Sequence, residues 1–144
     1  MFNQDYLMRQ IQQLTQVLNR ILVQVMKLKK SGSATEIVNF TNEKLKETLD
    51  TNIEELSSII DSKGLAYIKT DKNFDNENLN ILADIFYELA ERCFEDSNTH
   101  QQSLKMYSQS LLIYEFIETD EKTYSIDRNV KITKINYLLK QDKF

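Results

Sequence analysis

The sequence predicts an all-α fold of six or seven helices with no β-sheet. Proline is absent and glycine occurs only at Gly32 and Gly64, so the chain has few residues that break helices. Apolar residues recur in steps of four and three from Leu7 to Leu28, which is the spacing of one face of an α-helix. No segment alternates apolar and polar residues for long enough to favour a strand.

A long N-terminal helix is predicted over residues 3–30, about 42 Å at 1.5 Å per residue. We expect it to be the longest helix, with the later helices packing on it. Asp5 suits the positive end of the helix dipole, and the lysines at 27, 29 and 30 suit its negative end. Gly32 is expected to end the helix in the left-handed conformation.

The apolar stripe of this helix is the candidate interaction surface of the chain. Its seven-residue repeat suits a coiled-coil seam, and the helix is longer than the sphere of about 40 Å expected for a compact chain of this size. The sequence therefore predicts a homodimer. Alternatively, Met8, Val17 and Leu22 widen the stripe, which is typical of a helix packed into its own domain. The surface residues are Leu7, Ile11, Leu14, Leu18, Ile21 and Val25.

Two capping boxes predict the helices of the middle region. Ser33, three residues before Glu36, opens a helix that extends to about Asp50. A second box at residues 51–54 opens a short helix that Gly64 ends. Residues 65–68 form one more apolar turn, which is either a short helix or a packed loop.

The remaining helices follow a polar connector at residues 69–78, in which Phe74 is the expected anchor. Asp75 or Asn76 caps the next helix, Thr99 with Gln102 caps the following one, and residues 119–121 start the last. We expect one domain over residues 1–144, made of a long helix (1–31), short helices (33–69) and a helical array (75–141).

Residues 79–117 form a predicted hairpin of two helices that resembles a tetratricopeptide repeat, a helix–turn–helix unit of about 34 residues. The hairpin has large and small residues in the order that this motif requires. Its turn is about one residue longer than the standard unit, and the closing proline is absent. The resemblance implies a tetratricopeptide-like array in which the last helix is a possible first half of a second unit. The matching residues are Phe86, Leu89, Ala90, Ser103, Tyr107 and Ser110.

The whole chain also resembles an uncharacterised family of small bacterial all-helical proteins, which carry a domain of unknown function. The resemblance lies in residues 5–11, in the short-helix region at 49–65 and in the hairpin. It implies a tetratricopeptide-like all-helical fold. It implies no known activity, so it assigns no site residues.

Composition narrows the possible compartments and partners. The net charge is −4, which disfavours broad binding to a phosphate backbone, so no nucleic-acid partner is predicted. The single cysteine suits a reducing compartment. The N-terminus lacks the pattern of a signal peptide, and no apolar run approaches the length of about 20 residues that a membrane span needs. We expect a cytoplasmic protein with no membrane partner.

Catalytic and metal-binding groups are sparse. His100, the only histidine, is interpreted as a solvated turn residue because two flexible carboxylates beside it do not make a metal site. Cys93 lies on an apolar helix face and is interpreted as a packed small hydrophobe rather than a nucleophile. No catalytic residue, metal or cofactor is predicted. An acidic cluster is expected to be a solvated outer face; it comprises Glu88, Glu91, Glu95 and Asp96.

Two hypotheses for function follow from these patterns. The first is a non-enzymatic helical module that binds a protein partner or itself. The alternative is a small-ligand sensor or enzyme subunit with a pocket between helices. That pocket would be lined by Tyr67, Phe86, Tyr107 and Tyr114, although a stripe at this spacing is more often core.

Overall fold

The computed structural model describes residues 2–142, with side chains from Asp5 onward. These residues form seven α-helices and no strand, and 83 % of them are helical. The predicted all-α fold class is therefore confirmed. Residues 1, 143 and 144 of the predicted domain lie outside the described part. The helices are α1 (Phe2–Leu28), α2 (Ala34–Leu49), α3 (Ile53–Lys63), α4 (Leu65–Asp71), α5 (Asn76–Phe94), α6 (His100–Glu121) and α7 (Ile126–Gln141).

The helix at the centre of the fold is α5. It packs against α1, α2 and α6, and apolar side chains on nearly all of its sides are fully buried, including Leu79, Ile85 and Leu89. A helix that is apolar all round is stable only when other helices cover it. The helix α1 is the longest, as predicted, and α2 and α5 pack on its single apolar stripe, although the centre of the fold is α5.

Contacts between side chains fix the direction of the helices around α5. The helix α6 is antiparallel to it, since the Tyr87 and Tyr107 rings lie 5.8 Å apart and Ser110 Oγ donates a hydrogen bond of 2.9 Å to the Ala83 carbonyl. The helix α1 runs parallel to α5. Its Thr15 hydroxyl donates to Asn78 near the start of α5, and Arg92 near the end of α5 donates to the carbonyl of residue 32.

Several predicted helix ends are confirmed. The Ser33 hydroxyl accepts a hydrogen bond from the Glu36 backbone N–H, which is the bond expected of a capping box. Asp75 caps α5 through the Asn78 N–H. Gly64 ends α3 with a φ of +88°, a conformation that favours glycine.

Other predicted helix ends are wrong. Gly32 does not adopt a positive φ; its N–H bonds back to the Leu28 carbonyl in a tight turn. The cap of α3 is Asn52, one residue later than predicted. The Thr99 hydroxyl does not cap α6 because it donates to the Cys93 carbonyl instead. Finally, α6 runs through residues 119–121, and Ser125 caps α7.

Candidate functional site

The structure corrects the predicted interaction surface on α1. Four of its six residues lie in the core of the chain itself, where α2 and α5 cover them; Leu18 and Val25 have no exposed surface. Ile11 is half-buried and Leu7 is 40 % exposed. The width of the stripe therefore reflects packing within the domain, which is the alternative reading of the sequence. The four buried residues are Leu14, Leu18, Ile21 and Val25.

A row of exposed apolar side chains lies at the other end of the chain, on α7. Its outer residues Ile126, Val130 and Tyr137 are 72 %, 62 % and 63 % exposed, and Tyr124 just before the helix is more exposed still. With the exposed Thr133, they recur in steps of four, three and four and so share one face. Exposed apolar side chains that share one helix face make that face a candidate interaction site.

The opposite face of α7 is apolar as well and packs against the molecule. Ile135 is fully buried, and Ile132, Leu138 and Leu139 are half-buried against the core. This helix therefore has two apolar faces, of which only the inner one is covered within residues 2–142. A helix covered on one side only normally has a polar outer face.

Ion pairs hold the inner face of α7 in place. The Arg128 guanidinium donates bonds of 2.7 and 2.9 Å to one oxygen of Glu118 on α6. The Lys131 ammonium lies 3.0 Å from Asp84 on α5, and Lys134 pairs with Glu91 on the same helix. Because these contacts lock the rotation of α7, the apolar outer stripe points to solvent.

A groove between α6 and α7 adjoins this stripe. Its volume is about 970 Å³, and both helices contribute apolar side chains to its walls. Tyr137 belongs to the groove and to the outer stripe, so the two form one continuous surface. The lining residues are Leu104, Ser108, Leu111, Asn136, Tyr137, Leu139, Lys140 and Asp142.

The structure also corrects the interpretation of the acidic cluster as a solvated face for Glu88 and Glu91, whereas Glu95 is exposed, as predicted. Glu88 is buried and Glu91 is half-buried, because the Lys29 ammonium at the end of α1 bonds both carboxylates at 2.6 Å. Burial by itself would lower the pKa of Lys29, but the hydrogen bonds to the two carboxylates outweigh it and raise that pKa. Glu88 and Glu91 therefore form a structural link between α1, α5 and α7, which sequence spacing within α5 does not reveal.

Cys93 is buried, as predicted, and burial raises the pKa of its thiol above the ordinary value. His100 is not a solvated turn residue; it is the first residue of α6 and is half-buried. Its Nδ1 lies 3.0 Å from the Phe94 carbonyl oxygen and its Nε2 lies 2.8 Å from Asp142. The hydrogen bond to Asp142, followed by the one to Phe94, raises the pKa of the imidazole.

The four aromatic residues suggested as a ligand pocket do not share one. Phe86 lines a cavity beside α3, whereas Tyr107 lines a separate cleft beside Lys29. Tyr114 is fully buried and its hydroxyl donates to Asp84. Tyr67 lies on α4 beneath the Lys63 ammonium. Within residues 2–142, no three His, Cys, Asp or Glu side chains are grouped as metal ligands would be.

None of the described helices is long and apolar enough to cross a lipid bilayer. Comparisons with protein-family models, with curated proteins and with solved structures give no significant match. The resemblance to a bacterial helical family therefore stays a prediction.

Proposed function

We propose that this chain is a non-enzymatic, cytoplasmic interaction module that binds another protein chain through the outer face of α7. One observation supports this proposal above the others: α7 has two apolar faces, and its outer residues Ile126, Val130 and Tyr137 are more than 60 % exposed. Exposing such a stripe to water is unfavourable by roughly 25 cal/mol per Å² of apolar surface. A partner that covers it recovers that free energy.

A tetratricopeptide-like arrangement of α5, α6 and α7 is part of this proposal. In such an array a pair of antiparallel helices is followed by a helix parallel to the first. The helix α7 runs parallel to α5, because Lys131 pairs with Asp84 and Lys134 pairs with Glu91 further along both helices. Small residues at the α5–α6 contact, Ala83 and Ser110, allow the close approach that the motif needs. The outer face of α7 is then the position where a next helix would pack.

The polar side chains between the helices support a structural rather than a catalytic role. Lys29 forms ion pairs with Glu88 and Glu91. The Asp84 carboxylate accepts hydrogen bonds from the Tyr114 hydroxyl and the Lys131 ammonium. Each of these carboxylates therefore has a cationic partner inside the fold. General acid–base work needs a group that can reach a substrate, and these groups are engaged with one another.

Site-specific photo-crosslinking in the cells that make the protein tests this proposal. A benzophenone amino acid at Val130 reports on the outer face of α7, and one at Val23 on α1 is the matched control, since Val23 is also an exposed valine in a helix. We expect a discrete crosslinked product from Val130 and none at that mass from Val23.

The position that gives a crosslinked product decides between the hypotheses. A product of any discrete mass from Val130 alone supports an interaction module. No product from either position contradicts the proposed function, and a product from Val23 alone places the interaction on α1. A reproducible thermal shift with a small metabolite, together with no crosslink, would favour the ligand-sensor alternative.

A further inference from the structure

We infer that the face of the α5–α6 hairpin on which α7 lies is a docking site for a basic amphipathic helix of a partner protein, and that α7 is its exchangeable occupant. This acidic face is distinct from the outer face of α7, so the inference goes beyond the proposed function. Three observations support it: the charges of the acidic face, the matching charges of α7, and the small number of α7 residues that the fold buries.

The acidic face consists of one row of residues on each helix of the hairpin. Both rows have the spacing of a helix face, and each combines carboxylates with a tyrosine. Carboxylates attract cations by charge, and a tyrosine ring attracts them through its π-electrons. The rows are Asp84, Tyr87 and Glu91 on α5, and Tyr114, Glu118 and Glu121 on α6.

The helix α7 meets the acidic face with a cation at every third position. Residues three apart lie on the same side of a helix, so one side of α7 reaches both rows. The hairpin therefore recognises α7 by its charge pattern. The ion pairs are Arg128 with Glu118, Lys131 with Asp84 and Lys134 with Glu91, and the ammonium groups of Lys131 and Lys134 both lie 5.4 Å from the centre of the Tyr87 ring.

This contact buries few side chains of α7. Among residues 126–141 only Ile135 is buried, whereas twelve of the 19 residues of α5 and eight of the 22 residues of α6 are buried. Water reaches the ion pairs, since the side chains of Lys131 and Lys134 are 26 % and 44 % exposed. Ion pairs in contact with water add little stability each and weaken as salt is added. We therefore expect α7 to leave the acidic face more readily than the rest of the fold opens.

A partner helix with the charge pattern of α7 competes with it for the acidic face. Such a helix has Arg or Lys at every third position and an apolar residue beside the third, as Ile135 follows Lys134. Residues 122–125 tie α7 to α6, and a segment on so short a linker acts like a free one at about 1 mM. A peptide that makes the same contacts therefore displaces half of α7 at about that concentration. A partner that adds contacts of its own displaces α7 at lower concentrations.

Hydrogen exchange of the wild-type chain tests whether α7 opens by itself. The backbone amides of residues 130–141 should exchange on the order of a hundredfold faster than those in the middle of α5. The difference should grow between about 0.05 M and about 0.5 M KCl, because salt screens the ion pairs. Amides of α7 that exchange as slowly as those of α5, or that do not respond to salt, would overturn the inference.

Binding of a labelled peptide with the sequence of residues 124–142 tests exchange at the acidic face. Its dissociation constant for the wild-type chain, measured by fluorescence polarisation, should be about 1 mM. The substitutions Arg128→Gln, Lys131→Gln and Lys134→Gln in the chain should tighten binding of the unaltered peptide on the order of tenfold, because they weaken the competing helix within the chain.

A matched variant separates this competition from an effect of net charge. The substitutions Lys44→Gln, Lys46→Gln and Lys63→Gln remove the same charge from α2 and α3. They should leave the affinity for the peptide within about twofold of the wild-type value, because salt screens charges at a distance.

A variant of the acidic face locates the peptide. The substitutions Asp84→Asn and Glu118→Gln, added to the chain whose α7 is neutralised, should abolish the gain in affinity because they remove the carboxylates that pair with Lys131 and Arg128.

Each remaining outcome of the peptide measurement would overturn the inference. If the chain with a neutralised α7 binds the peptide no more tightly than the matched variant does, α7 does not compete for the site. If binding survives Asp84→Asn and Glu118→Gln, the peptide binds elsewhere. If neutralising α7 unfolds the chain, as measured by far-ultraviolet circular dichroism, α7 is not exchangeable. The photo-crosslink from Val130 tests the proposed function separately from all of these results.

Discussion

The helices α1 and α7 both present apolar residues in steps of three and four, and yet they use them in opposite ways. On α1 the stripe from Leu14 to Val25 is buried against α2 and α5. On α7 the outer row, which comprises Ile126, Val130, Thr133 and Tyr137, is exposed, while the reverse face packs against the core. Spacing therefore identifies a helix and its apolar face. It does not say whether the same chain or another one covers that face.

The largest expected effect separates the two ends of the α1 stripe. Leu18→Glu should abolish folding, because an unpaired carboxylate in a fully buried site costs several kcal/mol against a total stability of about 5–15 kcal/mol. Leu7→Glu, the same substitution at an exposed position of the stripe, should change stability by less than about 1 kcal/mol. Far-ultraviolet circular dichroism measures both. A folded Leu18→Glu protein would show that the stripe is not core.

A smaller effect is expected where α1 joins α5. Glu88→Gln removes one of the two carboxylates that bond Lys29 and should lower the free energy of unfolding by about 1–2 kcal/mol, since this pair is largely buried. Glu47→Gln removes a carboxylate from an exposed pair with Lys44 and should cost less than about 0.5 kcal/mol. Urea denaturation compares them. Equal losses of unfolding free energy would mean that the Lys29–Glu88 pair stabilises the fold no more than the exposed Lys44–Glu47 pair does.

Cys93→Ala should lower stability by about 1–2 kcal/mol, the order expected for a small deletion in a packed core. The native thiol should react with a thiol reagent much more slowly than free cysteine, because it is buried and its pKa is raised. If the native thiol is labelled as fast as free cysteine, Cys93 is not buried.

The smallest effect concerns the hydrogen bond between His100, the first residue of α6, and Asp142, which directly follows α7. The hydrogen bond to Asp142 raises the pKa of His100 above 6.5 in the folded state. Folding therefore favours the protonated ring: this contribution to stability is complete below the unfolded pKa and is lost as pH rises through the folded pKa. His100→Gln should remove that dependence. An NMR titration of the ring with a midpoint below 6.5 would contradict this assignment.

Local chemistry accounts for what could be predicted from the sequence. The all-α class, the Ser33 cap and the break at Gly64 depend on residues within one turn of each other, so the pattern alone identifies them. The burial of Glu88 and the backbone contact at Gly32 depend instead on segments that are distant in the sequence. Glu88 meets Lys29 from 59 residues away, and no spacing within α5 indicates it.

The burial of the surface predicted on α1 could not be foreseen for the same reason. Residues 14–25 of α1 and residues 126–137 of α7 both have apolar residues at helical spacing, and only the three-dimensional arrangement shows that α2 and α5 cover the first and leave the outer face of the second exposed. The helix α7 has apolar residues on opposite sides. On a helical projection Ile126 and Ile135 lie about 180° apart, which is the signal that could have indicated two faces.

Equilibrium urea denaturation of a matched pair of valine variants tests the division between the two faces most directly. Val25→Ala on α1 should lower the free energy of unfolding by roughly 2 kcal/mol, because it deletes two fully buried methyl groups. Val130→Ala on α7 should change it by less than about 0.5 kcal/mol, because that side chain is 62 % exposed. Similar losses for the two variants would show that the chain itself covers the outer face of α7, which would contradict the proposed surface.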